Sequence, residues 1–274
     1  MSKARGSGTR RRWLLPVAAA AGLALADLAV RQPGWVASVA ALALPDVLVA
    51  VPTRRRQVAL TFDDGPDGSV TPALLEVLRR HDATATFFVV GEQVARHREV
   101  VERIAADGHE LAVHGMDPTP TATRSLATFE RELADCVRLL APWGRPRWFR
   151  PASGWIRPEQ LRAVGRHGLR CVLGSIALVR NPVAAPRVAA WLLALRARPG
   201  AVVVLHEGLT ERAPVAECVD RLLPLLDARG YTAVSLSELT AAGTVDAAGR
   251  DGVAGGKARW SATGPHRSRS RSRR

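Results

Sequence analysis

Val58-Ala59-Leu60-Thr61-Phe62-Asp63-Asp64-Gly65-Pro66 is a short β-branched and aromatic run that ends on two adjacent carboxylates and a Gly-Pro break. A run of this length, bounded by turn residues, predicts a buried strand rather than a helix. Neighbouring residues at a strand end point in different directions, so Asp63 and Asp64 can hold different roles around one small site. Paired carboxylates suit a metal ion, a general base, or one of each. Asp-Gly-Pro is also good turn chemistry, and taken alone the stretch reads equally as a strand followed by an Asx-type turn.

Outward from this stretch, strand and helix patterns alternate. Strands are predicted at 57–62, 84–90, 109–114, 147–150, 169–174, 201–206 and 231–235. Thr71-Pro72 reads as a helix cap followed by a first-turn proline. Val94, Val101, Ile104 and Ala105 stripe a second helix stopping at Gly108, and Leu126, Phe129, Leu133, Val137 and Leu140 stripe a third. A helix over 213–229 ends at Gly230 and carries Pro224 inside it. Seven strands alternating with helices imply parallel βα units, whose functional residues gather at the carboxyl ends of the strands. Asp63-Asp64, His114, Arg150-Pro151 and His206 all fall at such ends. Each has a structural explanation of its own; four at one sheet edge point to a site.

The net charge of +14 is concentrated at the two ends. Lys3, Arg5, Arg10, Arg11 and Arg12 precede an apolar run from Trp13 to Val30, and the chain closes on Arg267-Ser268-Arg269-Ser270-Arg271-Ser272-Arg273-Arg274. Basic residues before an apolar segment form the pattern of a signal peptide or signal anchor, which places the rest of the chain outside the cytoplasm. The expected location is the cell membrane with an extracytoplasmic catalytic domain, or secretion. The Arg/Ser tail has no apolar period and reads as disordered, with no nucleic-acid partner expected. Cys136, Cys171 and Cys218 fit no zinc or CxxC spacing and read as small buried hydrophobes. The expected organisation is a basic N-terminus with signal peptide or anchor (1–31), a docking helix and linker (32–56) that turns at Pro45-Asp46 into a short strand-like piece docking on the domain, a catalytic domain (57–242) and a disordered tail (243–274). Oligomeric state leaves no mark in the sequence.

Thr61-Phe62-Asp63-Asp64-Gly65-Pro66 resembles the first motif of the polysaccharide deacetylases, the NodB-homology domain of carbohydrate esterase family 4. Gly108-His109-Glu110-Leu111-Ala112-Val113-His114, Phe149-Arg150-Pro151-Ala152-Ser153-Gly154-Trp155 and Val203-Val204-Leu205-His206 resemble later motifs in the same order. The resemblance implies a distorted (β/α) barrel of about seven parallel strands. It also implies a metal-dependent hydrolase removing N-acetyl, or O-acetyl, groups from a GlcNAc-containing polysaccharide or oligosaccharide such as peptidoglycan or a chitin-like glycan. On this likeness Asp63 is the general base, His206 the acid and Arg150 the partner that orients Asp63. Asp64 and His114 are ligands of a divalent metal, zinc in most of the family, and Pro151, Ser153, Gly154 and Trp155 line the place of the acetylated glycan.

Three departures stand out. The family's second motif carries another histidine where this chain has Pro118, which leaves Asp117 as the substitute third ligand. No Asp and Trp of a fourth motif appear around Gly174-Ser175-Ile176, and Glu207 stands where an aspartate commonly follows the histidine. A catalytically silent glycan-binding descendant is the alternative these departures leave open.

Overall fold

The computed structural model describes residues 46–177, 185–208 and 214–244. The readings of residues 1–31, of the docking helix before Pro45 and of the tail beyond 244 lie outside them. Among the described residues no helix is long and apolar enough to cross a membrane.

The elements run in the order β1 (Val47–Leu48), β2 (Gln57–Gly65), α1 (Val70–Arg80), β3 (Thr86–Val89), α2 (Gly91–Arg96), α3 (Arg98–Ala106), β4 (Glu110–Val113), α4 (Leu126–Leu140) and β5 (Trp148–Phe149). They continue with α5 (Pro158–Arg166), β6 (Arg170–Val172), β7 (Ile176–Ala177), α6 (Pro186–Arg196), β8 (Val202–His206), α7 (Pro214–Asp227) and β9 (Thr232–Val234). A last helix, α8, covers 236–244. The strands form one parallel sheet in the order β1-β6-β5-β4-β3-β2-β8-β7, with β9 paired to the start of β2. Residues Ala50 and Val51 run on from β1 to the foot of β8, where Ala50 bridges Ala201 and the Val51 N–H donates to the Gly200 carbonyl at 2.8 Å. The sheet is thereby curled into a distorted barrel, as the motifs implied. Each of the seven predicted strands is present; β1 is the short strand-like piece expected after Pro45-Asp46, docked on β6, and β7, two residues long, is additional.

Period-two alternation along β2 sorts its side chains into two layers. Val58, Leu60 and Phe62 face outward, in one core with the stripe residues of α1, α3 and α7. Ala59 faces the barrel interior with Leu48, Phe88, Ala112, Trp148, Val172 and Val202, and Leu236 and Leu239 of α8 join the same cluster. This apolar interior forms a floor beneath the strand ends. Glu110 ties α8 to it: its carboxylate accepts from Trp148 Nε1 at 2.8 Å, Thr86 Oγ1 at 2.8 Å and the Ser237 N–H at 3.1 Å. All four groups are polar atoms that burial would otherwise penalise.

α1 begins one residue before the expected Thr71 cap. Its cap is the Asp67 carboxylate, which accepts from the N–H groups of Ser69 and Val70 at 2.8 and 2.9 Å and is thereby held below the usual carboxylate range, against the opposing effect of its burial. Thr71 serves elsewhere: its hydroxyl accepts from the Asp67 N–H and donates to Glu207 at 2.5 Å.

Candidate active site

β2 ends in a bulge. Asp63 pairs with Phe88 and Gly65 with Val89, so Asp64 is the extra residue, and it adopts φ 72°. A bulge re-aims side chains at a strand end, and Asp is among the few residues that accept this left-handed backbone. Asp63 and Asp64, which simple alternation would send to opposite faces, therefore both line one cleft of about 500 Å³. The same cleft is lined by His114 from the end of β4, Arg150 and Pro151 after β5, Ser153 and Gly154, and His206 at the end of β8. Asp63 and His206 are register partners on adjacent strands.

Arg150 fills the layer between the apolar floor and the cleft. Its guanidinium stacks over the Phe88 ring at 4.0 Å, donates to Asp63 Oδ1 at 2.6 Å and Thr61 Oγ1 at 2.9 Å, and reaches the Val172 carbonyl at 3.2 Å through Nε. Thr61 in turn donates to the Val203 carbonyl at 2.7 Å. Asp63 and Arg150 are both buried. A buried ion pair is sustained by geometry and extra hydrogen bonds, and removal of either partner leaves an uncompensated charge. The net of bonds from Thr61, Val172 and Phe88 holds the guanidinium in one pose, and the guanidinium holds Asp63.

His114 is fixed the same way. Its Nδ1 lies 2.9 Å from the Arg150 carbonyl, so Nδ1 carries the proton and Nε2 faces Asp64 Oδ1 at 3.2 Å. Burial would lower its pKa, but the nearby Asp63 charge and the Asp64 hydrogen bond outweigh that and raise it. A histidine whose Nδ1–H is bound to a carbonyl while Nε2 meets a carboxylate has the arrangement of a metal ligand with its outer support in place.

Asp117 is not brought to this pair. Its carboxylate pairs with Arg124 and accepts from the Thr119 N–H at 2.7 Å, in a small side pocket under Glu132 and Phe129. Those bonds and the Arg124 charge lower its pKa, against the opposing effect of its burial. Pro118 itself lines the cleft. Among the described residues, no group of three His, Cys, Asp or Glu side chains is close enough to hold a metal ion. Asp64 and His114 thus offer two protein ligands, and the carboxylate expected as the third is engaged by an arginine.

The turn after β5 is strained where it borders the cleft. Ser153 and Gly154 have φ 64° and 77° in succession. The Ala152 N–H donates to Thr121 Oγ1 at 2.9 Å and the Gly154 N–H to the Pro151 carbonyl at 3.0 Å. Pro151 has no N–H, and Ser153 lines the cleft. Trp155 follows, 75% exposed and outside the cleft lining. Beyond β6, where the family's fourth motif would fall, Leu173 and Ala177 form an apolar wall.

Sequence reasoning overlooked Thr61, although a hydroxyl inside an otherwise apolar strand was a visible signal. It registered Glu207 only as a departure. Glu207 is fully buried; its N–H donates to the Asp63 carbonyl at 2.9 Å, and its Oε1 has no hydrogen-bond partner. A Cβ on Gly65 would stand 1.9 Å from that Oε1, so glycine is what lets the carboxyl pack under the bulge.

This fold and this site define a class, that of the (β/α)-barrel carbohydrate deacetylases and esterases. A family profile described as Polysaccharide deacetylase matches residues 50–172. The chain is 32% identical over 192 residues to a peptidoglycan-N-acetylglucosamine deacetylase of Bacillus cereus, spanning 69% of this chain and 90% of that protein. It is 33% identical over 201 residues to a chitooligosaccharide deacetylase of a Bradyrhizobium species, spanning 67% and 90%. The structure of a family 4 acetyl xylan esterase from Clostridium thermocellum, in complex with a cobalt ion, aligns with a TM-score of 0.62 at 30% identity over 67% of this chain and 89% of that one. The chain belongs to the polysaccharide deacetylase family.

Proposed function

We propose that this chain hydrolyses the N-acetyl group of GlcNAc residues in a glycan of the peptidoglycan or chitin-like class. The observation that carries the reading is the cleft itself: Asp63 and His206 stand side by side on paired strands, above Arg150 and beside Asp64 and His114. Amide hydrolysis needs a base for water, a donor for the oxyanion and an acid for the amine. Asp63, held by Arg150, takes the proton from the attacking water. A backbone N–H of the Pro151–Ser153 segment, which lines the cleft, is the donor for the oxygen on which negative charge develops. His206 delivers a proton to the departing nitrogen, so that acetate and a free amine leave.

Asp64 and His114 are the residues that would hold a divalent cation. Such an ion would supply Lewis acidity to the carbonyl and lower the pKa of water. A carboxylate and one imidazole form a harder set than two imidazoles and a carboxylate, which widens the choice beyond zinc. Exposed Trp155, beside the cleft loop, offers an aromatic face to a sugar ring.

The test is acetate release, measured with the matching appearance of free amine, from chitooligosaccharides, peptidoglycan and O-acetylated xylan. The reading expects release from at least one of the first two. Release from xylan alone would make the chain an O-deacetylase. Glycan binding without release from any of the three would favour the silent descendant.

A further inference from the structure

Helix α6 is apolar on two faces. Ala189, Ala190, Leu193 and Ala194 are buried where it packs on α7. On the other side Val188, Trp191 and Leu195 are 52, 56 and 60% exposed. At 3.6 residues per turn these three project within a sector roughly 60° wide, with Arg187 on one flank and Arg196 on the other. Arg198 follows just past the helix end and is exposed. From Ser175 to His206 the sequence contains four arginines and no Asp or Glu. Of the acidic groups of the adjoining α7, Glu217 pairs with Arg221 and Asp220 with Arg80 and His81, and Asp227 closes the helix.

Three side chains of this size expose on the order of a few hundred Å². A stable dimer needs about 800 Å² from each partner, so a second copy does not account for the stripe. An apolar stripe with an aromatic residue, edged by arginines and lacking acids, matches an anionic lipid surface. Chain connectivity agrees. The end of α6 leads directly into Gly200 and Ala201, the residues that bond Val51 and Ala50 where the chain arrives from its N-terminal part. The apolar run Trp13–Val30 lies about fifteen residues before Asp46. We propose that α6 lies on an anionic bilayer, with Val188, Trp191 and Leu195 at the boundary of headgroups and acyl chains and Arg187 and Arg198 on lipid phosphates. The inference rests on the reading of residues 1–31 as a membrane segment for proximity only; the stripe and its charges are independent of it.

The test uses the full chain carrying Leu195→Cys labelled with an environment-sensitive fluorophore. The three native cysteines are buried, and burial pushes each thiol up to about 12, so the introduced thiol is the reactive one. The protein is floated with vesicles of phosphatidylcholine plus phosphatidylglycerol, or of phosphatidylcholine alone, each containing nitroxide lipid. Quenching is expected on the anionic vesicles, much less on neutral ones, and none for a reference label at Glu102→Cys. Arg187→Gln and Arg198→Gln should each weaken the quenched state about fivefold. A chain that floats while the probe at 195 stays in water overturns the inference. A chain that does not float overturns it together with the N-terminal reading. A probe shielded without vesicles, increasingly so with protein concentration, would give the stripe to a second copy.

Discussion

Replacement of Glu207 by glutamine tests the polar layer beneath the site through its response to pH. Glu207 is fully buried, and its pKa is raised from 4.5 to about 8. Burial is the main cause; the Thr71 hydrogen bond works the other way, and the charges of Asp67, Asp64 and Asp63 add to the rise. The folded state therefore holds this carboxyl protonated through neutral pH, while the unfolded chain ionises near 4.5. Its contribution to stability is full below about pH 4.5 and is lost as pH rises through about 8. The loss is about 1.4 kcal/mol per pH unit, approaching ~5 kcal/mol across the whole window. The glutamine side chain cannot titrate. Its buried NH₂ without a partner costs about 1–3 kcal/mol, but that offset does not change with pH. The difference in unfolding free energy, Glu207→Gln minus wild type, should thus grow by ~2.5 kcal/mol between about pH 5 and pH 7. Urea unfolding at several pH values, with chelator present so that no cation sits near Asp64, measures it. Curves that run parallel to within ~0.5 kcal/mol would refute the buried, protonated carboxyl and the reasoning built on it.

Three further outcomes are expected. Gly65→Ala drives a Cβ to within 1.9 Å of Glu207 Oε1 and should destabilise by roughly 1–3 kcal/mol, read as a lowered midpoint in the same urea titration. Arg150→Met strands the Asp63 charge beside Thr61 and should cost about 3–5 kcal/mol, with a far smaller loss when Asp63→Asn is added. Asp117→Asn should leave the affinity for cobalt or zinc within about twofold of wild type in calorimetric titration, since Arg124 and Thr119 hold that carboxylate, whereas His114→Ala should lower it by about tenfold or more. A tenfold loss in Asp117→Asn would place the carboxylate on the metal after all.

The seven main strands were legible because each is a short apolar run closed by a turn or a charge, and parallel βα order fixes where their ends must meet. The site followed from that one rule: Asp63, Asp64, His114, Arg150 and His206 line one cleft because they share one edge of the sheet. Direction was harder to read. Adjacency in sequence nominated Asp117 beside Pro118, but a side chain's aim depends on its partners, and Arg124, seven residues on, claims it. The bulge at Asp64 was equally hidden, since nothing in Asp-Asp-Gly says that the second aspartate will turn to φ 72° and join the first. Thr61 and Glu207 went unassigned for a related reason. They hold Arg150 and the Asp63–Gly65 backbone in place; the Thr61 hydroxyl was visible in its apolar strand, but which groups each side chain supports shows only once strands β2, β5 and β8 are side by side. β7, two residues long, is too short to leave a period.

The central claim is that Asp63 is the base of a deacetylation reaction, fixed by Arg150. The most direct measurement compares acetate release from N-acetylated chitooligosaccharide or peptidoglycan by wild type and by Asp63→Asn, with folding of both checked by circular dichroism. The account expects a fall of about 10²–10⁴-fold in the variant with its fold retained. A folded Asp63→Asn protein that releases acetate at the wild-type rate would contradict it.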